Sequence, residues 1–477
     1  MITLYNTLTK TKERLIPHHD KKIQMFVCGP TVYDYTHIGN ARTFVFFDVV
    51  AKYLRSQGYE VDYIQNITDI DDKIIQRAKE AGRKPLDWAQ EYYQHFKDDM
   101  KALGVDSPKY IPATEHIEQV VKQVKTLIDK GHAYLIADDG YYFDLSTFKD
   151  YGKLSGRTTQ MADDGVSRID ENNKKRNNGD FCLWKFSKPD EPSWDTELGK
   201  GRPGWHIEDT AITEHYFGPQ YDIHGGGQDL IFPHHEAEIT QQESASGKKP
   251  FVKYWMHVAF LVNKEQKMSK SLGNFEIVNE LLKKYPKEVI RFYLLANHYR
   301  SPLDYNEDMF KQSLAAVSRI GEFIEKIKLA NSESKAENEK GVEGLLAEQK
   351  RLFIEALNDD FNSPRAISEI FDLIKSINSS DHIISKQTSE NILDLLKYFD
   401  SILGIIPSEQ QKIPEEILKL GKEMDILRKA GEYEGSDKLR LKAAEKGYIA
   451  SSTPIGTTFV AGLVITPKKE KSEDQTK

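Results

Sequence analysis

Two short segments of this chain bring together residue types suited to a polyphosphate. The first runs Cys28-Gly29-Pro30-Thr31-Val32-Tyr33-Asp34-Tyr35-Thr36-His37-Ile38-Gly39-Asn40, between an apolar run and a helically spaced segment. Backbone N–H groups at a helix start, aided by the helix dipole, favour phosphate. Gly39 lets a ligand approach the backbone closely. His37 and Asn40 can donate to phosphate oxygens. An ordinary strand-to-helix turn with a capping Asn has the same composition, so this segment alone decides nothing. The second segment is Lys267-Met268-Ser269-Lys270-Ser271, followed by Gly273. Two lysines with two hydroxyls suit phosphate oxygens. Alone it reads as a solvated charged turn. In this order and in one α/β region, the two read as parts of a single ATP-type site.

A third segment, Tyr221 to Glu238 (YDIHGGGQDLIFPHHEAE), carries different chemistry. Three glycines after a strand allow a ligand to lie on the backbone. Asp229 is placed to accept from a ribose hydroxyl. His234 and Glu238 are four apart and share one face of a helix, a pairing that suits zinc or a plain surface His–Glu contact. Cys28 falls at the C-terminal end of the first strand, where open α/β sheets bind ligands, and its thiolate would supply a further metal ligand.

The elements that must position these groups are legible as patterns. Ile23 to Cys28 is an apolar run stopped by Gly29-Pro30, and reads as a buried strand. Ala41 to Gln57 has helical spacing through Phe44, Phe47, Val50 and Leu54, and Gly58 closes it. Val61 to Ile64 is the next strand, so the three form a βαβ unit of a parallel sheet. Residues 74–190 are charged, mostly helical in pattern and end in a polar stretch from Asp163 to Asp180, as in an insertion. A second α/β half follows, with strands at Tyr221 to His224 and Tyr254 to Val262 around a helix from Pro233 to Ser246. From about Pro286 the pattern is helical. Asn331 to Gly344 is polar, either a loop or a solvated helix end, a weaker boundary falls near Pro407, and the tail from Pro467 reads as disordered.

The chain has 477 residues, 39% of them hydrophobic and 29% charged, which fits about three core-forming domains. Its formal charge of −8 makes any RNA or phosphate site a local patch on an acidic body. Cys28 and Cys182 are the only cysteines, too few for a disulfide framework, which points to a reducing compartment. With no signal-peptide core and no run of about 18 apolar residues, the chain reads as cytosolic and soluble.

CGPTVYDYTHIGNAR, NITDIDDKI (Asn66 to Ile74), GWHIE (Gly204 to Glu208), DIHGGG with FPHHEAE, and KMSKS, in that order, resemble the cysteinyl-tRNA synthetase family of class I aminoacyl-tRNA synthetases. LNDDFNSPRA (Leu357 to Ala366) resembles the start of that family's helical bundle, and Gly431 to Phe459 its small anticodon-binding domain. The resemblance implies an α/β fold. A class I Rossmann-like parallel-sheet catalytic domain (1–73 and 191–310) would carry a helical insertion (74–190). A helical bundle (311–406), an anticodon-binding domain (407–466) and a disordered tail (467–477) would follow. It implies ATP-dependent activation of L-cysteine, with Mg²⁺, and transfer to the 3′ end of tRNA(Cys) in the cytoplasm, by a monomer without an editing domain.

Carried onto this sequence, His37, Asn40, Lys267 and Lys270 would serve catalysis, Asn40 standing where a second His is usual. Gly39, Gly227, Asp229 and Lys270 would bind ATP, and Thr68 and Trp205 would line the amino-acid pocket. One zinc would be held by Cys28, His234, Glu238 and Asp209, the last replacing the family's second Cys; His206 or a water could take that fourth place instead. Phe459, after the Gly456-Thr457 turn, suits either stacking on an anticodon base or a core. Three rivals remain at this point. One is an enzyme of the same ancestry acting on an amino sugar, and another a non-catalytic relative. The third is a zinc hydrolase using Glu236 as base.

Overall fold

The computed structural model describes residues 1–157, 172–263, 266–267, 276–329, 339–379, 384–407, 414–446, 448–453 and 456–461. The apolar run at Ile23 becomes β1 (Lys22–Val27), buried at every position after Lys22. Continuous burial is what a strand covered on both faces requires. It leads into α1 (Ile38–Ser56), then β2 (Glu60–Ile67), α2 (Asp72–Glu80), α3 (Pro85–Ala102), β3 (Lys109–Pro112) and α4 (Ile117–Asp129). After the insertion come α5 (Ile207–Phe217), β4 (Tyr221–Gly227), α6 (Glu236–Ser246) and β5 (Val252–Val258). The five strands form one sheet in the order β5-β4-β1-β2-β3, every neighbouring pair parallel. Chain order reverses between β4 and β1. In doubly wound sheets ligands bind in the crevice outside the strand ends at that reversal. Cys28 directly follows β1 and Gly227 ends β4, so both stand at this crevice.

Some boundaries differ from the sequence pattern for identifiable reasons. Helix α1 starts three residues before Ala41, because His37 is its N-cap and accepts the Asn40 N–H at Nδ1 (3.3 Å). Segment 74–190 supplies helices and also strands. Its β3 extends the central sheet, and Ala133–Ile136, Gly140–Phe143 and Phe181–Phe186 form an antiparallel sheet completed by Gly201–Pro203. Strands of three to six residues are too short for alternation to show. Pro233 lies in a turn at Ile231–His235 rather than in a regular helix. Phe232 is extended there (φ −141°), and α6 starts at Glu236. A residue before proline is driven out of the helical region.

The three glycines of β4 do different work from the ligand platform their composition suggests. A Cβ on Gly225 would stand 2.2 Å from the Phe47 ring of α1, and one on Gly226 would stand 2.9 Å from His235. Both are needed for internal packing, and Gly227 alone of the three reaches the crevice. Gly225→Ala is therefore expected to destabilise the fold by about 1–3 kcal/mol, the cost of overpacking a filled core. A urea titration would show this as a lowered midpoint, and an unchanged midpoint would refute the close approach.

The chain divides into two compact units. One comprises 1–282, 293–307 and 352–367, and the other 283–292, 308–351 and 368–477. The second is built mainly of helices. Lys386–Leu403 starts at Ser385, whose hydroxyl accepts the Thr388 N–H, and stops at Gly404 (φ +63°). Near its end, helices Glu415–Lys429 and Tyr433–Glu445 pack with the hairpin Tyr448–Thr453/Gly456–Ala461 around Ile417, Met424, Ala443 and Ala450. Asp425 accepts from the backbone N–H (3.1 Å) and hydroxyl (2.6 Å) of Thr457. Phe459 is a residue of the second hairpin strand. Residues 330–338 and the tail from Pro467 lie outside the described residues, while Glu339 already belongs to a helix. Among the described residues no helix is long and apolar enough to cross a membrane.

Candidate active site

The crevice is a cleft of about 710 Å³. One part of its lining comes from the α1 start, where His37, Gly39 and Asn40 sit, and from Gly227 and Asp229 after β4. Gly39 is needed here because a Cβ would meet the His37 ring at 2.9 Å. A Cβ on Gly227 would meet Asp229 Oδ1 at 2.6 Å. Thr68 and Trp205 line the same cleft. Thr68 follows β2 directly and its hydroxyl donates to the buried Glu208 carboxylate. Trp205 is no core residue. It is 41% exposed and stacks on His234 with ring centres 4.4 Å apart. Lys267 pairs with Val262 across a short antiparallel bridge. Met268, Ser269, Lys270, Ser271 and Gly273 lie outside the described residues.

Beneath the cleft, three segments converge on one point. Cys28 comes from the end of β1, Asp209 from the first turn of α5, and His234 and Glu238 from the start of α6 and the turn before it. One ligand atom from each lies within 4.8 Å of every other, and all four residues are buried. His234 Nε2 is 3.0 Å from Asp209 Oδ2 and 2.9 Å from Glu238 Oε1, and Cys28 Sγ is 3.3 Å from Asp209 Oδ2. Among the described residues Asp209 Oδ1 and Glu238 Oε2 have no hydrogen-bond partner, the latter lying 3.5 Å from His224 Nε2. Burial pushes the Cys28 thiol well up, and the carboxylates of Glu238 and Asp209 push it the same way. For His234 burial favours the neutral ring, but Glu238 and then Asp209 outweigh it and raise its pKa. Two carboxylates and a thiol share this buried volume with one imidazole, so it is short of positive charge. A divalent cation fits both the donor set and that deficit.

Three buried histidines, two of them against Cys28, were given no role by sequence reasoning. His224 Nε2 and His235 Nε2 lie 3.3 and 3.1 Å from its sulfur. Each ring is fixed at its other nitrogen, His224 by the Tyr221 hydroxyl (2.6 Å) and His235 by His257 (2.8 Å). Burial holds all three pKa values down, that of His257 to about 3. With Cys28 and Glu238, His224 and His235 make a second group of metal-ligand type. They are not part of the cleft lining, whereas Cys28, Asp209 and His234 are, so the first group is the one a substrate can reach. The His-His doublet and the buried-strand position of His224 were the available signals. His206 lies outside the four-residue group, and its Nδ1 meets His234 Nδ1 at 2.7 Å, a contact that orients that ring. Glu236 is unsuited to be a hydrolytic base, because its carboxylate accepts the N–H groups of Gly152, Leu154 and Ser155. Cys182 is remote from this point, packed with Tyr134, Ile136 and Tyr142.

Comparison with known proteins bears on the same residues. The family model described as tRNA synthetases class I (C) catalytic domain matches residues 14–315, and that of the DALR domain matches 352–407. The cysteine–tRNA ligase of Heliobacterium modesticaldum is 45% identical over 85% of this chain and 86% of its own length. That of Carboxydothermus hydrogenoformans is 43% identical over 96% and 99%. Among solved structures, the methionyl-tRNA synthetase of Mycobacterium tuberculosis in complex with methionyl-adenylate superposes with a TM-score of 0.58 at 15% identity, over 80% of this chain and 92% of that one. A leucyl-tRNA synthetase of Agrobacterium radiobacter gives 0.61 at 11%, over 82% and 85%. These last two establish the fold alone. Fold, motif order and near full-length identity together place the chain in the cysteine–tRNA ligase family of class I tRNA synthetases.

Proposed function

We propose that the chain is a cysteine–tRNA ligase: it activates L-cysteine with ATP, releasing pyrophosphate, and transfers the cysteinyl group to the 3′ end of tRNA(Cys), releasing AMP. The observation that carries this is a phosphate-type helix start and a buried thiol-accepting centre in one cleft. The cysteine carboxylate is already a nucleophile and attacks the α-phosphorus without a general base. The transition state spreads charge over phosphate oxygens, so the protein's task is positioning and electrostatic stabilisation. His37 and Asn40 at the α1 start, with Lys267 and Lys270, supply donors and charge for the phosphates and their Mg²⁺. Gly227 leaves room for the adenosine, and Asp229 accepts from its ribose. Thr68 and Trp205 bound the amino-acid pocket.

Cys28, Asp209, His234 and Glu238 would hold one zinc ion, which when bound supplies a Lewis acid that lowers a thiol's pKa and prefers sulfur to a neutral hydroxyl. A purely apolar pocket separates such near-isosteres by only on the order of 10². Direct recognition of sulfur makes a second, hydrolytic site unnecessary. Among the described residues, the only groups of metal-ligand type are the two that share Cys28. ATP, cysteine and tRNA are cytoplasmic, and we place the chain there.

Cysteine-dependent exchange of pyrophosphate into ATP tests the reading. Exchange is expected with cysteine and at least 10³-fold less with serine, beyond what an apolar pocket gives. Exchange with serine but not with cysteine would reject it.

A further inference from the structure

We propose that the α2 face carrying Lys73, Gln76 and Arg77 binds the phosphodiester backbone of the terminal nucleotides of the tRNA. This deepens the ligase reading and rests on it. Ile74 and Ala78 are the buried positions of α2. The three- and four-residue spacing of a helix then puts Lys73, Gln76 and Arg77 together on the other side. All three are exposed, and all three line the same cleft as Asn40, Asp229 and His234.

Neither cation is consumed by the fold. Among the described residues the Lys73 ammonium forms no close ion pair; it sits 5.6 Å from the centre of the Tyr33 ring and interacts with the Asp71 carboxylate only at longer range. Arg77 has Glu80 at 3.8 Å, a loose exposed pair of little energetic weight. Glu80 also lines the cleft and draws on Arg77, so Lys73 is expected to carry the larger share. Lys73 and Arg77 are the only lysine and arginine among the described residues lining this cleft, which also carries the carboxylates of Asp34, Glu80, Asp209 and Asp229. The face is also held in place. Asp71 caps α2 through the Lys73 N–H (2.8 Å), and Asp72 is tied to Arg202 (2.5 Å) and Lys185 (3.7 Å) of the neighbouring antiparallel sheet.

The chemistry of the remaining substrate matches. In the ligase reading ATP takes the α1 start and Gly227, and cysteine takes the metal centre. The third reactant is a polyanion whose terminal ribose hydroxyl must reach the adenylate carbonyl inside this cleft. A single strand entering there needs cations for its phosphates and no base readout.

The test uses the full chain with Lys73→Ala, Arg77→Ala and the double variant. Cysteine-dependent pyrophosphate exchange, which needs no tRNA, is expected to stay within about twofold of the parent. The kcat/KM for charging tRNA(Cys) should fall on the order of tenfold in the double variant, with Lys73→Arg close to the parent. The slope of log affinity against log salt should lessen by about 0.7 per cation removed. A tRNA(Cys) transcript lacking its last three nucleotides should bind parent and double variant alike. Unchanged charging, an equal loss of affinity for the truncated transcript, or a parallel loss of exchange would each overturn the assignment. Absence of cysteine-dependent exchange in the parent would instead defeat the ligase reading beneath it.

Discussion

Replacing Asp209 by alanine is expected to weaken zinc binding by on the order of 10²-fold or more, and replacing it by cysteine to strengthen it. Asp209 Oδ2 stands 3.0 Å from His234 Nε2 and 3.3 Å from Cys28 Sγ, and among the described residues its other oxygen has no hydrogen-bond partner, so the contacts of this carboxylate that the structure shows are those of the centre. Even residues that merely orient a metal ligand cost 10–100-fold when removed, so a ligand itself should cost at least that. A thiolate is softer than a carboxylate and binds zinc with greater covalency, which sets the opposite sign for Asp209→Cys. Competition against a chelating dye gives the affinities. The cobalt-substituted protein adds an independent reading, because sulfur-to-cobalt absorption should intensify when a second thiolate joins Cys28. Equal zinc affinity in the parent and Asp209→Ala would remove this residue from the metal and leave Cys28, His234 and Glu238 as the set.

How much of this centre could be read beforehand depends on the range of each interaction. His234 and Glu238 are four apart, so their shared face was readable, and the structure gives 2.9 Å between them. Cys28 was readable because a stop at Gly29-Pro30 marks the end of a buried strand. Asp209 is assigned to the centre in the sequence only through the motif resemblance. Nothing in the spacing of residue 209 from residues 28 or 238 says that α5 turns its first residues toward β1. The same holds for the Thr68–Glu208 contact, whose partners are 140 residues apart. The histidines around Cys28 were visible as residues but had no periodicity that assigns them to a sulfur.

The central sheet was legible from its apolar runs because four of its strands run six to eight residues and are mostly buried. Strand β3 was not, since its four residues sit at the sheet edge and only one of them is buried. The glycines of β4 misled in an instructive way. A Gly-rich strand end signals close approach, but the sequence cannot say whether a ligand or the Phe47 ring does the approaching.

Substitution of His37 should separate the phosphate wall of the cleft from its metal floor. The His37 ring accepts the Asn40 N–H at Nδ1, which puts the ring proton on Nε2 when the imidazole is neutral. The residue caps α1, lines the cleft and lies against Gly39, so its ring position is set by backbone that α1 fixes. Alanine would remove both the cap and the donor, and the loss of a cap alone is worth about 1 kcal/mol of stability. Asparagine isolates the catalytic part, because it caps a helix well but is too short to place a donor where Nε2 stands. His37→Asn is therefore expected to keep the parent's melting temperature and zinc content while cysteine-dependent exchange falls on the order of 10²–10³-fold, the range for deleting one preorganised donor to a developing oxyanion. The loss should appear in kcat more than in the KM for ATP, since a group that acts on the transition state leaves ground-state binding largely intact. Exchange in His37→Asn at the parent's rate would show that capping is all His37 does, and would shift the burden of charge stabilisation to the lysines.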